Sequence, residues 1–124
     1  MVNKMPKKIL VVDDDAMLVR ALSMVLRHHG FEVFSALNGE QAVAAVIKDG
    51  PDLVLMDLTM PGMDGWEACR NIRTICGTPV ILLSGHALDD KEITQKLGNV
   101  TINNYLIKPV RNEALLAAVN GALG

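Results

Sequence analysis

Residues 53–65 read LVLMDLTMPGMDG, in which a solid apolar run leads to an acidic residue and then to a turn. An unbroken run such as Leu53–Met56 is typical of a strand that is buried on both faces of a parallel sheet. The Pro-Gly pair further along predicts a turn, and Asp64 with Glu67 forms a capping box that predicts the start of a helix. The segment therefore predicts a strand followed by a helix, with Asp57 at the carboxyl end of the strand.

The same alternation recurs along the whole chain. Four further apolar runs predict strands, and apolar stripes at helical spacing predict helices between and after them. Because the connections are short enough for right-handed crossovers, we expect a doubly wound parallel α/β sheet with five helices. The predicted strands are Ile9–Val12, Phe31–Ala36, Leu53–Met56, Pro79–Leu83 and Tyr105–Ile107.

Length and composition predict one globular domain over residues 1–124, with residues 1–7 as a flexible N-terminal segment. The 124 residues are half hydrophobic and carry a net charge of −2, which excludes a generally basic nucleic-acid-binding protein. One Trp, one Tyr and two Phe are too few for a stacking platform for single strands.

The apolar runs and the two cysteines indicate the cellular compartment of the protein. The run Ile9–Val12 stops at three aspartates, so it is not a signal peptide, and no run approaches the ~20 residues of a membrane span. Cys69 and Cys76 would lie about 10 Å apart on one helix, too far for a disulfide. These features predict a soluble, cytoplasmic protein with reduced thiols.

Chemically active side chains follow the predicted strands. Asp13 and Asp14 end the first strand, Asp57 the third, Ser84 the fourth and Lys108 the fifth. In a doubly wound sheet these positions meet at one edge, where ligands bind. Clustered carboxylates without His or Cys favour Mg²⁺, and a lysine and a hydroxyl can hold phosphoryl oxygens. The set contains the parts needed to form an aspartyl phosphate.

Four motifs together resemble the receiver domain of two-component response regulators, of the chemotaxis-regulator type. The resemblance runs from about Lys8 to the C-terminus and implies the flavodoxin-like strand order 2-1-3-4-5. The motifs are VVDD at 11–14, LMDLTMPGMDG at 55–65, LLSG at 82–85 and YLIKP at 105–109.

The resemblance implies that Asp57 accepts a phosphoryl group from the phosphohistidine of a histidine kinase. It further implies that Asp13, Asp14, Asp57 and the backbone carbonyl of Thr59 hold Mg²⁺, which Mn²⁺ could replace.

The remaining site residues are also assigned by resemblance. Ser84 is expected to swing toward the phosphate, Tyr105 to act as an aromatic switch and Lys108 to pair with the phosphate, aided by a cis bond to the following proline. Thr59 and His86 are expected to flank the phosphoryl group and to modulate its hydrolysis.

Expected partners are a histidine kinase or a histidine phosphotransfer protein of a phosphorelay, and a downstream effector. The effector is expected to bind the face formed by the fourth helix, fifth strand and fifth helix, which could also pair two copies of the chain. We expect no direct binding to nucleic acid or membranes. The domain is expected not to be an enzyme, because it promotes only its own phosphorylation and dephosphorylation.

Two alternatives stay open at this point. A pseudo-receiver would keep the fold and bind partners without taking phosphate. A haloacid-dehalogenase-like phosphatase would use Asp13 as its nucleophile, but it would leave Asp57 unexplained. A stand-alone regulator and one domain of a longer protein, such as a hybrid kinase, are both compatible with the sequence.

Two local features depart from the family pattern. The segment Asn99–Asn104 lacks the small Gly-Ala pair that often precedes the fifth strand in the family, and the sequence leaves the conformation of Gly98–Asn104 open. Arg111 stands where a polar helix cap is common, so we expect Asn112 to cap the last helix.

Overall fold

The computed structural model describes residues 5–98, 102 and 104–124, in which five strands alternate with five helices. The predicted alternation is therefore confirmed. In chain order the elements are β1 (Lys8–Val12), α1 (Ala16–His28), β2 (Glu32–Ala36), α2 (Gly39–Asp49), β3 (Leu53–Asp57), α3 (Gly65–Ile75), β4 (Val80–Ser84), α4 (Asp90–Leu97), β5 (Asn104–Ile107) and α5 (Asn112–Leu123).

The strands form one parallel sheet in the order β2-β1-β3-β4-β5, which confirms the predicted topology. After β1 the chain turns outward to β2, and from β3 onward it winds in the opposite direction. This reversal opens a crevice between the carboxyl ends of β1 and β3, where Val12 pairs with Met56. Ligands bind at such switch points in doubly wound sheets.

Alternate side chains of the central strands feed two separate cores. Val11 and Leu55 pack on the face covered by α1 and α5, whereas Val12 and Met56 pack on the face covered by α2, α3 and α4. All four side chains are fully buried. Because both faces are covered, β1, β3 and β4 consist of solid apolar runs, and only their carboxyl ends carry polar groups.

Each strand differs from the sequence prediction by one residue at one or both ends, and the cap of the last helix differs as well. β2 begins at Glu32 rather than Phe31, because the Phe31 N–H closes the end of α1 by donating to the Leu26 carbonyl at 3.1 Å. The prediction that Asn112 caps α5 is wrong. Asn112 is the first residue of the helix, and Arg111 occupies the capping position without a side-chain hydrogen bond.

Some predictions concern residues that the structure does not describe. Residues 1–4 of the predicted flexible segment 1–7 lie outside the described residues, as do 99–101 and 103 of the stretch 98–104. Both cysteines are free thiols, as predicted. Among the helices of the described ranges, none combines the length and apolar character that a bilayer crossing requires.

Candidate functional site

Three carboxylates meet in the crevice at the carboxyl ends of β1 and β3. Asp57 is the last residue of β3, and Asp13 and Asp14 directly follow β1. One oxygen from each carboxylate can be chosen so that all three lie within 4.8 Å of one another. Asp13 is fully buried and Asp57 is 3% exposed, whereas Asp14 is exposed to solvent. The sequence prediction that these three residues converge agrees with this geometry.

Lys108 bridges the two buried carboxylates. Its Nζ lies 2.9 Å from Asp57 Oδ1 and 2.8 Å from Asp13 Oδ2. The residue is aimed from the end of β5, where its N–H donates to the Ser84 carbonyl at 2.7 Å. The Lys108–Pro109 bond is cis, as expected from the sequence. The positive charge of the lysine thereby offsets part of the electrostatic repulsion between the clustered carboxylates.

The protonation of this cluster reflects burial and charge pairing. Desolvation raises the pKa of Asp57, and the negative charge of Asp13 raises it further, whereas hydrogen bonds from Lys108 and the Thr59 backbone N–H lower it. Burial alone would lower the pKa of Lys108, but hydrogen bonds to Asp13 and Asp57 outweigh this effect and raise it. The ion pairs therefore hold Lys108 charged beside the carboxylates.

The donor set fits a hard divalent cation such as Mg²⁺. The three clustered ligands are all carboxylates, which suit Mg²⁺ better than softer metals. Asp57 Oδ2 is buried and has no hydrogen-bond partner among the residues placed by the structure, so it has free capacity to bind a ligand. Buried oxygens normally have a partner, and an unpaired one at a cluster of acids is consistent with a cation site.

Ser84 ends β4 beside this cluster, as predicted, but its hydroxyl is engaged by the loop that follows. Ser84 Oγ donates to the His86 carbonyl at 2.5 Å and accepts from the His86 N–H at 3.2 Å. Any movement of the hydroxyl toward a phosphoryl group on Asp57 must break these two hydrogen bonds. The His86 ring is exposed, and its Nε2 lies 3.7 Å from Glu92 Oε1 at the start of α4.

Tyr105 and Thr59 complete the set of predicted site residues. Tyr105 is half-buried on β5, and its hydroxyl donates to the Leu88 carbonyl at 3.0 Å, so it links β5 to the loop before α4. Thr59 has an exposed side chain, and its backbone N–H contributes to lowering the pKa of Asp57. The Thr59 carbonyl as a metal ligand stays a prediction.

Sequence reasoning assigned no role to Gly65, although it belongs to the quoted motif. Gly65 begins α3, and its N–H donates to the Leu58 carbonyl at 3.1 Å. A Cβ at this position would overlap the backbone carbonyl of Asp57. The helix therefore packs directly against the backbone of the acidic residue, which only glycine permits. Its place at the first turn of a helix so soon after Asp57 is the sequence signal that could have revealed this contact.

Comparison with known protein families gives a match over most of the chain. The family described as "Response regulator receiver domain" matches residues 9–120. The DNA-binding response regulator MtrA of Mycobacterium bovis is 39% identical over 121 residues, which are 98% of this chain and 52% of that protein. MtrA of Mycobacterium leprae is 40% identical over 119 residues, 96% of this chain and 52% of that protein. The chain thus spans about half the length of these curated relatives.

Solved structures give the same relationship. The chemotaxis protein CheY4 of Vibrio cholerae superposes with a TM-score of 0.88 at 30% identity, covering 96% of this chain and 100% of that chain. A CheY-like receiver domain protein from Methanospirillum hungatei also gives a TM-score of 0.88, at 28% identity, covering 96% of this chain and 94% of that chain.

Proposed function

The chain belongs to the family of response regulator receiver domains, and from this premise we propose that Asp57 is its phosphoacceptor in two-component signalling. The observation that carries the proposal is the arrangement of the two Asp57 oxygens in the buried acidic cluster. Oδ1 accepts a hydrogen bond from Lys108, whereas Oδ2 has no hydrogen-bond partner among the described residues and can react. Oδ2 is suited to attack the phosphorus of a phosphohistidine. The new P–O bond replaces the P–N bond, and the imidazole of the donor leaves.

The residues around Asp57 have complementary roles in this proposal. Asp13, Asp14 and Asp57, with the Thr59 carbonyl, would hold Mg²⁺, and Mn²⁺ could take its place. The bound cation supplies positive charge to the phosphoryl oxygens. Lys108, already 2.9 Å from Asp57 Oδ1, would pair with another of those oxygens. The domain would thus promote only its own phosphorylation and dephosphorylation, which Thr59 and His86 would modulate.

The alternatives have less support. A phosphatase of the haloacid-dehalogenase type needs Asp13 as a free nucleophile. Here Asp13 Oδ1 accepts a hydrogen bond from the Asp15 N–H at 3.0 Å, and Oδ2 forms an ion pair with Lys108 Nζ at 2.8 Å. A pseudo-receiver has no need for the complete set of acids, lysine and serine that the strand ends hold here.

We further propose a partner face formed by α4, β5 and α5. A groove of about 510 Å³ on this face is lined by residues that include Tyr105, Ile107 and Pro109, and Ile107 is 47% exposed. Tyr105 belongs both to this groove and to the hydrogen bond with Leu88, so a change in the loop after Ser84 would reach the groove. The donor would be a histidine kinase or a phosphotransfer protein, and an effector or a second copy would bind the face.

Acetyl phosphate with Mg²⁺ tests the phosphoacceptor proposal. We expect intact-mass spectrometry to find one added phosphoryl group, which EDTA prevents. Asp57→Asn should abolish the addition, whereas Asp49→Asn on α2, a matched change outside the site, should leave it intact. Equal phosphorylation of Asp57→Asn and the parent would refute the assignment, and dependence on Asp13 as the modified residue would favour the phosphatase instead.

A further inference from the structure

A second polar groove lies between α1 and the edge strand β2. It has a volume of about 330 Å³, and its polar side chains are those of Arg20, Ser23 and Arg27 on α1 and Ser35 on β2. The spacing of three and four residues places the first three on one face of the helix. All four side chains can donate hydrogen bonds. Among the residues that the structure describes, no carboxylate lines the groove, and the neighbouring acid Asp15 caps α1.

The two arginines bring positive charge that the protein does not neutralise. Both side chains are exposed, and neither takes part in an ion pair within the ranges that the structure covers. Arg27 donates through one guanidinium nitrogen to the Val33 carbonyl at 3.0 Å. This hydrogen bond holds the guanidinium beside β2 and leaves its other donors available for a ligand.

Ser23 adds a hydroxyl donor to the groove. The residue is only 4% exposed, and it lines the groove. Its hydroxyl makes no hydrogen bond to any residue placed by the structure. A serine inside a helix usually bonds a carbonyl of the preceding turn, but the Ser23 hydroxyl makes no such bond and opens to the solvent-accessible groove. The hydroxyl is therefore free to donate into the groove between the two arginines.

The edge of β2 supplies a further donor. Ala36 accepts from the Asp13 N–H at 3.2 Å, so the backbone groups of Ala36 face β1. Since successive residues of a strand alternate, the N–H of Ser35 faces the outer edge of the sheet, where β2 has no neighbour among the five described strands. Ser35 thus brings a backbone N–H and a hydroxyl to the same groove.

We propose that this groove binds the phosphate group of a small molecule. Guanidinium groups recognise phosphate oxygens through paired hydrogen bonds, and hydroxyl and backbone donors complete such sites. The volume lies at the lower end of the range for small-molecule sites. The site uses none of the residues assigned to phosphorylation, so it would bind its ligand independently of Asp57.

Titration with inorganic phosphate at constant ionic strength, without Mg²⁺, tests the proposal by amide NMR shifts. We expect saturable shifts in residues 20–27 and 33–37. Arg20→Gln should weaken binding at least ten-fold, and Ser23→Ala should weaken it several-fold. Arg111→Gln removes the same charge from an exposed position outside the groove and should change nothing. A nucleoside monophosphate that binds more tightly than phosphate would identify an organic phosphate as the ligand, whereas equal affinity would identify the phosphate group alone.

Two results would overturn the inference. One is a set of shifts confined to the surroundings of Asp57 and Lys108. The other is equal affinity of the Arg20→Gln and Arg111→Gln variants for phosphate. Phosphorylation by acetyl phosphate should proceed at the parent rate in Arg20→Gln, so failure of this site and failure of the phosphoacceptor assignment can be told apart.

Discussion

Lys108 binds two carboxylates at once, which makes it the residue whose replacement separates metal binding from phosphoryl transfer. Lys108→Met keeps much of the side-chain length but removes the ammonium group that lies 2.9 Å from Asp57 Oδ1. We expect the rate of phosphorylation by acetyl phosphate to fall at least ten-fold, about 1.4 kcal/mol of barrier. Mg²⁺ binding, followed by the fluorescence of Trp66 in the first turn of α3, should persist because the lysine is not a ligand.

Lys48→Met serves as the control, since Lys48 is exposed on α2. An unchanged phosphorylation rate in Lys108→Met would contradict a role of this ammonium group in transfer, as would equal losses in both variants.

For single residues, the sequence predicts the position of side chains that directly follow strands. It does not predict contacts that depend on how side chains and helices pack. Asp57 and Lys108 could be placed because parallel strands bring their carboxyl ends to one edge. The pairing of Lys108 with Asp13 as well as Asp57 depends on side-chain conformation. The burial of Ser23 depends on how closely α1 approaches β2, and no pattern in the sequence encodes that distance.

At the scale of elements, α3 is positioned by the contact between Gly65 and the backbone of Asp57. Gly65→Ala would force the helix away from β3, because the added Cβ overlaps the Asp57 carbonyl. We expect a loss of about 1–3 kcal/mol in the free energy of unfolding, measured by urea denaturation, together with slower phosphorylation. Gly77→Ala is the matched control, since a Cβ there contacts nothing within 4 Å. Equal stability of the two variants would show that α3 adjusts without cost.

The loop between β4 and α4 connects the site to the proposed partner face. Ser84 holds the loop through His86, and Tyr105 holds it through the Leu88 carbonyl. The Ser84→Ala and Tyr105→Phe variants should therefore accept the phosphoryl group but fail to transmit the resulting structural change to β5 and α5. Each variant also loses a hydrogen bond worth about 1 kcal/mol. The measurement is the change in amide NMR shifts of β5 and α5 on adding beryllofluoride with Mg²⁺. Shifts equal to those of the parent in both variants would rule out this route.

Element boundaries show where sequence patterns stop short of structure. The sequence places the fourth strand at Pro79–Leu83, whereas β4 runs from Val80 to Ser84. Proline lacks an N–H, so Pro79 contributes only its carbonyl, to Val54 N–H at 3.0 Å. At the other end, Ser84 stays in the strand because its carbonyl accepts from Lys108 N–H. Apolar character marks the middle of a strand, but hydrogen bonds to its neighbours decide where the strand ends.

For the whole molecule, the acidic cluster predicts a stability that depends on Mg²⁺. Binding of a cation to the folded state alone raises the free energy of unfolding by about 2.7 kcal/mol at a hundred-fold excess over Kd. We expect thermal denaturation to shift upward with Mg²⁺ in the parent. In Asp13→Asn the shift should be much smaller, whatever the stability of that variant without metal. An equal shift in both would place the cation elsewhere.

The topology as a whole was predictable because each local signal agrees with it. Solid apolar runs such as Leu53–Met56 are buried on both sides only in a sheet that is covered on both faces. Helices that connect successive strands allow neighbouring strands to run parallel. The start of α5 was not predictable in the same way. Arg111 holds the capping position without a capping hydrogen bond, so packing of α5 on the sheet rather than its own cap determines where the helix begins.

The bridge formed by Lys108 also determines the electrostatic balance that phosphorylation would disturb. With all three carboxylates ionised, the cluster and the one ammonium group would carry two surplus negative charges, which a single divalent counterion would cancel. Conversion of Asp57 to an acyl phosphate would replace one negative charge by roughly two. A balanced site would thus acquire about one uncompensated charge, while the Ser84 hydroxyl still points to the His86 carbonyl. The signal of this domain is thus a local departure from electroneutrality.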